Sequence, residues 1–250
     1  MIFMGFRYNP LERASKSAFR KVFPVPRSPW TMGEIDDICN VNLVPPEKLK
    51  GFFHGCIKRL QRIKGDYIGD YLEFGVFNGS SMSSMYTTAK ELGLSSMRFF
   101  GFDAFHGLPK ESENEDNGVW KKGFYSCPFG KMRECLKRRK IDPSKINWIK
   151  GWYKTTLNNK SIKKFKIDRV GIVFIDCDTY SSSKAVLDFI APLLREEAIL
   201  CFDDWKLNDL DLEEMGEYKA FNEFLEENRH FRATEIRSYN RKSKSFLIRP

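Results

Sequence analysis

The sequence lacks the marks of several common protein classes. No apolar run approaches the roughly 20 residues a membrane-spanning helix needs. There is no G-x-G-x-x-G fingerprint and no P-loop lysine, which argues against a dinucleotide or nucleoside triphosphate as ligand. Only 3 histidines occur, and none stands at zinc-ligand spacing from a cysteine. The cysteines, at positions 39, 56, 127, 135, 177 and 201, form no C-x-x-C pair. They read as free, buried thiols of a reducing cytosol rather than as a disulfide framework, so the expected location is cytoplasmic. The first 32 residues hold no apolar h-region, so no secretory signal is expected. Internal repeats and low-complexity blocks are also missing.

What is present is enough for a core. The 250 residues are 42% hydrophobic and 14% aromatic, which excludes global disorder and suits one α/β domain. Lys and Arg number 42 against 33 Asp and Glu, a net charge of +9. Such a surplus raises the question of a polyanionic partner, nucleic acid or an anionic membrane surface. It is concentrated in four places, one of them the C-terminal hairpin with Arg237, Arg241, Lys242, Lys244 and Arg249. Arg7, Arg13, Lys16, Arg20, Lys21 and Arg27, interleaved with Phe3, Phe6, Phe19 and Phe23, form a basic N-terminal segment that Pro24, Pro26 and Pro29 make extended at its end. This segment reads either as an arm for RNA or a membrane surface, or as an arm packed on the domain or on a second subunit. The stretches Lys131–Lys140 and Lys160–Lys166 fit a nucleic-acid surface and a solvated helical face equally well. The plan is therefore a basic arm, lid or subunit-contact segment over residues 1–50 and a folded domain over residues 51–250.

Past residue 51, short apolar runs alternate with helical patterns, the signature of βαβ units on a parallel sheet. Strands are expected at Asp70–Phe74, Met97–Phe102, Asn147–Lys150, Val170–Ile175 and Ala198–Phe202, with a terminal antiparallel hairpin from Arg232–Arg237 and Ser245–Arg249. Helices are expected at Ser80–Leu92, Gly130–Arg139, Ser182–Leu194 and Glu217–Glu227, with a long polar loop over Gly107–Ser126. In such sheets ligands bind beyond the carboxyl ends of the strands, so the chemistry should lie in the residues just past each strand.

Glu73 and Gly75 close the first strand, and Gly79, Ser80 and Ser81 open the next helix. A strand-end carboxylate there suits a ligand bearing an ammonium group, and an ordinary glycine turn fits as well. Asp103 closes the second strand, placed either to take two ribose hydroxyl protons or to cap a turn. Asp176 ends the fourth strand, and Asp203 and Asp204 end the fifth. Neighbouring parallel strands bring these three together, and three ionised carboxylates in one small site call for a hard divalent cation such as Mg²⁺. The alternative is one capping Asp beside two solvated ones. Asp178 should point to the face opposite Asp176, positioning Tyr180 or capping the helix that starts at Ser182.

Five segments, taken in order, resemble the macrocin/mycinamicin family of S-adenosylmethionine-dependent sugar O-methyltransferases. They are Tyr71-Leu72-Glu73-Phe74-Gly75-Val76 with Gly79-Ser80-Ser81; Gly101-Phe102-Asp103-Ala104-Phe105 with Gly107-Leu108-Pro109; Lys150-Gly151-Trp152-Tyr153 with Thr156-Leu157; Ile175-Asp176-Cys177-Asp178-Thr179-Tyr180; and Phe202-Asp203-Asp204-Trp205. The resemblance covers about Gly51 to Leu225. It implies a class I methyltransferase, Rossmann-like α/β fold, with a mostly parallel seven-stranded sheet and a C-terminal antiparallel hairpin. It implies that Glu73, Gly75, Gly79, Ser80 and Ser81 surround the methionine end of S-adenosylmethionine, that Asp103 holds the ribose, and that Gly151 and Trp152 lie by the adenine. Asp176, Asp203 and Asp204 would hold Mg²⁺, and Asp178 and Tyr180 would face the acceptor.

The catalytic group is assigned to Asp176 or to His106, which stands where such enzymes often carry Glu; a plain loop histidine is the other reading of His106. Thr179 replaces the lysine base of catechol-type relatives. The expected partner is a small-molecule or glycan acceptor, and the enzyme is expected to be a homodimer that meets a membrane at most through its basic arm. Nucleic acid is not expected. An RNA- or DNA-directed methyltransferase and a non-catalytic binding protein on the same fold remain as alternatives.

Overall fold

The computed structural model describes residues 37–250. The basic arm before Asp37, including the Pro24–Pro29 segment, lies outside the described residues. Helix α1 (Pro46–Lys64) starts within the stretch assigned above to the arm. Pro46 opens it and Glu47 complements the amino end of its dipole; Arg62 and Lys64 complement the other end, and Gly65 stops it.

Seven strands come after it: β1 (Asp70–Phe74), β2 (Phe99–Asp103), β3 (Asn147–Lys150), β4 (Val170–Ile175), β5 (Ala198–Phe202), β6 (Arg232–Ile236) and β7 (Lys244–Arg249). They form one sheet in the order β3-β2-β1-β4-β5-β7-β6. β1 to β5 run parallel, and β7 lies antiparallel between β5 and β6. The expected fold class is thus the observed one. Strand order reverses between β1 and β4, which opens a crevice at their carboxyl ends.

Both faces of the sheet are covered, which is why its central strands read as apolar runs and not as alternations. Tyr71, Ile172, Phe174, Ile199 and Cys201 meet α1, α2 (Ser80–Glu91) and α3 (Phe129–Arg138) on one face. Leu72, Phe74, Phe102, Val173, Ile175, Leu200 and Phe202 meet α6 (Tyr180–Ile190) and α7 (Gly216–Glu227) on the other. Two short helices, α4 (Tyr153–Thr156) and α5 (Asn159–Phe165), connect β3 to β4.

Three expectations need correction. Helix α6 begins at Tyr180, two residues early, because Thr179 and not Asp178 caps it, its hydroxyl accepting from the Ser182 amide at 3.2 Å. The Gly107–Ser126 stretch is not an open polar loop: it folds into short turns at Lys110–Asn114 and Asp116–Gly118 and buries Trp120. The cysteines are not all free. Cys39 and Cys135 form a disulfide that ties the chain ahead of α1 to α3, a bond suited to oxidising and not reducing surroundings. Cys56, Cys127, Cys177 and Cys201 are free and buried as expected. Among the described residues no helix is long and apolar enough to cross a membrane.

Candidate active site

A cavity of about 980 Å³ lies over the carboxyl ends of β1, β2, β4 and β5. Gly75, Asp103, Gly151 and Trp152 line one part of it, and Asp176, Asp178, Asp203 and Asp204 line another. His106, Leu108, Pro109 and Tyr125, from the segment between β2 and α3, form the wall that joins them.

The first loop is built around Gly75. Its φ is +86°, and a Cβ there would lie 1.6 Å from the Asp176 carbonyl oxygen, so no other residue lets β1 and β4 end this close together. The need for glycine therefore comes from a second strand and not from a ligand. Asp103 braces the same loop. Its Oδ2 accepts from the amides of Val76 and Phe77 at 2.8 and 3.1 Å, and its Oδ1 accepts from Phe105 at 2.6 Å. Carboxylate oxygens carry further lone pairs, so Asp103 can brace the loop and still take ribose hydroxyls from the cavity side.

Glu73 sits deeper than the sequence suggested. It is fully buried and is not part of the cavity lining. The Tyr71 and Ser81 hydroxyls donate to its two oxygens at 2.6 and 2.8 Å. Burial raises its pKa to about 8, against the lowering effect of those two bonds. Gly79 and Ser80, at the start of α2, also stand back from the lining.

The three carboxylates expected at the sheet edge do come together. Asp176, Asp203 and Asp204 can place one oxygen each within 4.8 Å of one another. Asp176 and Asp203 are half-buried and Asp204 is buried. Burial first, then the neighbouring carboxylates, pushes Asp176 well up, and Asp204 is raised to about 8 for the same two reasons. Asp203 is raised by burial, against the Tyr239 bond and the charge of Lys242. Crowded acidic oxygens that resist ionisation on their own fit a hard divalent cation, which would supply the missing positive charge.

Two further residues sit otherwise than expected, and two were not foreseen. Asp178, at φ +68°, does not point away from this cluster; the chain turns back there, the residue lines the same cavity as Asp204, and burial first, then the charge of Asp204, pushes its pKa well up. Tyr180 does not face the cavity. Its hydroxyl donates to Glu223 on α7 at 2.7 Å, and Lys219 lies over its ring. Tyr239, in the β6–β7 turn, was unforeseen: its hydroxyl donates to Asp203 Oδ1. Glu217, at the start of α7, accepts from the Asp204 amide at 2.9 Å, while its Oε1 is buried without a partner. Tyr239 carries no local motif. Glu217 offered one sequence signal, an acidic residue at a helix start, which reads there as an ordinary dipole partner.

His106 is exposed on the cavity rim, its ring 6.4 Å from that of Trp152. The basic stretch on α3 is largely committed internally. Arg139 donates to the carbonyls of Asn78 and Cys39, and Arg138 pairs with Asp37 and Glu134.

The fold is shared with known proteins. The structure resembles that of the O-methyltransferase NovP, with a TM-score of 0.66 and 17% identity over 80% of this chain and 79% of that one. It resembles the calicheamicin methyltransferase CalS11 with a TM-score of 0.61 and 19% identity over 97% and 95% of the two chains. At these identities the likeness concerns the fold. A 4'-O-methyltransferase of Streptomyces olivaceus, acting on 8-demethyl-8-(2,3-dimethoxy-alpha-L-rhamnosyl)-tetracenomycin-C, is 24% identical over 151 residues, 56% of this chain. The match spans about half of that relative, 54% of its length. Residues 45–232 match the family model of the macrocin O-methyltransferases (TylF), and the chain belongs to that family.

Proposed function

We propose that the protein transfers the methyl group of S-adenosylmethionine to a hydroxyl of a sugar, with a divalent cation at Asp176, Asp203 and Asp204. The observation that carries this reading is the placement of three mutually close carboxylates in the same cavity as the loop braced by Asp103. Family membership and the rhamnose-directed relative support the sugar. A cation held by the three carboxylates would lower the pKa of an acceptor hydroxyl. The chain's own residues do the rest. Asp103 and Gly151 line the cavity where they would hold the donor's nucleoside end, and Trp152 would offer its exposed ring beside it. Asp176, itself one of the three carboxylates, lines the cavity together with Gly75 of the donor loop, and its oxygen not engaged by the cation would take the hydroxyl proton as the oxygen attacks the sulfonium methyl and S-adenosylhomocysteine leaves. Leu108, Pro109 and Tyr125 supply the largely apolar wall beside that line.

The test is release of S-adenosylhomocysteine with a panel of rhamnosides, with and without chelator. Activity should fall at least 100-fold in EDTA, return with Mg²⁺, and be absent in Asp203→Asn. Full activity after rigorous chelation would remove the cation, and no turnover on any glycoside would remove the sugar.

A further inference from the structure

One carboxylate outside the acid cluster has an unusual set of partners. Asp116 lies in the segment between β2 and α3, buried to 8% exposure. Its Oδ2 accepts from the Tyr180 amide at 2.9 Å and from the Trp120 indole at 3.0 Å. Its Oδ1 accepts from the Gly216 amide at 3.0 Å. Tyr180 and Gly216 are the first residues of α6 and α7. One side chain thus satisfies the free amides of two helix starts that are far apart in sequence. Glu115 beside it accepts from both the amide and the hydroxyl of Ser181, each at 2.8 Å.

Both helix starts lead directly to the acid cluster. Tyr180 comes right after the Asp176-Cys177-Asp178-Thr179 turn. Gly216 precedes Glu217, whose carboxylate holds the Asp204 amide. The segment that carries Asp116 also supplies Leu108, Pro109 and Tyr125 to the cavity wall. The chain goes to some cost to present this group, because Asp116 and Asn117 both adopt left-handed backbone, at φ +49° and +59°.

We infer that Asp116 is a positioning residue for methyl transfer: it fastens the β2–α3 segment across the starts of α6 and α7, so that the acceptor wall and the two acid-bearing turns keep one fixed relation. It touches no reacting atom. A carboxylate is required because all three partners are donors and must be shared between two accepting oxygens. This inference rests on the methyltransferase reading for its kinetic consequence only; the fastening itself can be measured without turnover.

The decisive variant is Asp116→Asn, which keeps the size and tolerates the left-handed backbone but turns one accepting oxygen into a donor. Hydrogen exchange should quicken at least tenfold at the Tyr180 and Gly216 amides, and trypsin should cut faster after Lys121 and Lys122. S-adenosylhomocysteine should bind within about threefold of the unmodified chain by calorimetry. With methyl α-L-rhamnoside as acceptor, the KM for acceptor should rise at least tenfold while the KM for donor holds. Trp120→Phe removes one of the three donors and should move exchange the same way by a smaller factor, which keeps the test open should Asp116→Asn fail to fold. Unchanged exchange in either variant overturns the inference. So does a loss of donor affinity as large as the rise in acceptor KM, which would mark general damage. If the unmodified chain does not methylate the rhamnoside, the sugar reading suffers, and the exchange and donor arms still decide the role of Asp116.

Discussion

Removing divalent cations should make the protein's stability fall steeply with rising pH, and restoring them should remove the acid cluster's share of that slope. Glu73 and Asp204 ordinarily titrate near 4.5 and 3.8, and burial holds both near 8 in the folded chain. Between those limits the folded state keeps two protons that the unfolded state has released. Their stabilising effect is complete below about pH 4 and is lost as pH rises through about 8. Each proton difference is worth about 1.4 kcal/mol per pH unit. Two give about 3 kcal/mol per unit, or about 4 kcal/mol between pH 6 and 7.5, where the folded groups begin to lose their protons. Asp176, Asp178 and Glu217 are pushed the same way and can only steepen the fall. A cation at the cluster requires Asp204 ionised, so with Mg²⁺ the Glu73 share of about 1.4 kcal/mol per unit remains. Urea unfolding at half-unit pH steps, in EDTA and in excess Mg²⁺, reads the slopes directly. Glu73→Gln should lower the EDTA slope by one proton's share, about 1 kcal/mol per unit. A flat or rising profile in EDTA would refute the buried-proton reasoning, and equal slopes with and without Mg²⁺ would refute the cation.

Other perturbations separate the parts of the site. Tyr239→Phe removes the donor to Asp203 and should weaken Mg²⁺ binding about tenfold, measured by calorimetry, while leaving S-adenosylhomocysteine affinity unchanged. Gly75→Ala should cost at least about 3 kcal/mol in urea unfolding, because its Cβ would meet the Asp176 carbonyl at 1.6 Å with φ at +86°; a mild effect would mean that β1 and β4 can part. Reduction of Cys39–Cys135, or Cys39→Ser, opens a loop spanning 96 residues and should cost about 4 to 5 kcal/mol on the chain-entropy account. Thiol counting before and after a dithiol reductant checks that the loss tracks that bond. Unfolding that ignores the reductant would show that the bond adds nothing.

The sequence alone determined the architecture, because the signals were local. Apolar runs such as Val170–Ile175 could only be strands buried on both faces, and the helices between them forced parallel pairing. The acid cluster was legible for the same reason. Asp176 and Asp203-Asp204 end adjacent parallel strands, so topology alone delivers them to one edge.

What the sequence left undecided depends on atoms far apart in the chain. The Asp178 side chain rejoins the cluster through a left-handed turn that alternation along a strand does not anticipate. Glu73 looked like a ligand contact and is instead an interior carboxyl held by Tyr71 and Ser81. Cys39 and Cys135 reveal themselves as partners only once α3 is packed beside the chain ahead of α1. Tyr239 and Asp116 reach the site across 36 residues to Asp203 and 100 residues to Gly216. Spacing encodes what neighbouring strands bring together. A hydrogen bond between distant loops has no local period to betray it, so only the tertiary fold decides which carboxylates bind, which brace, and which hold the wall of the cavity in place.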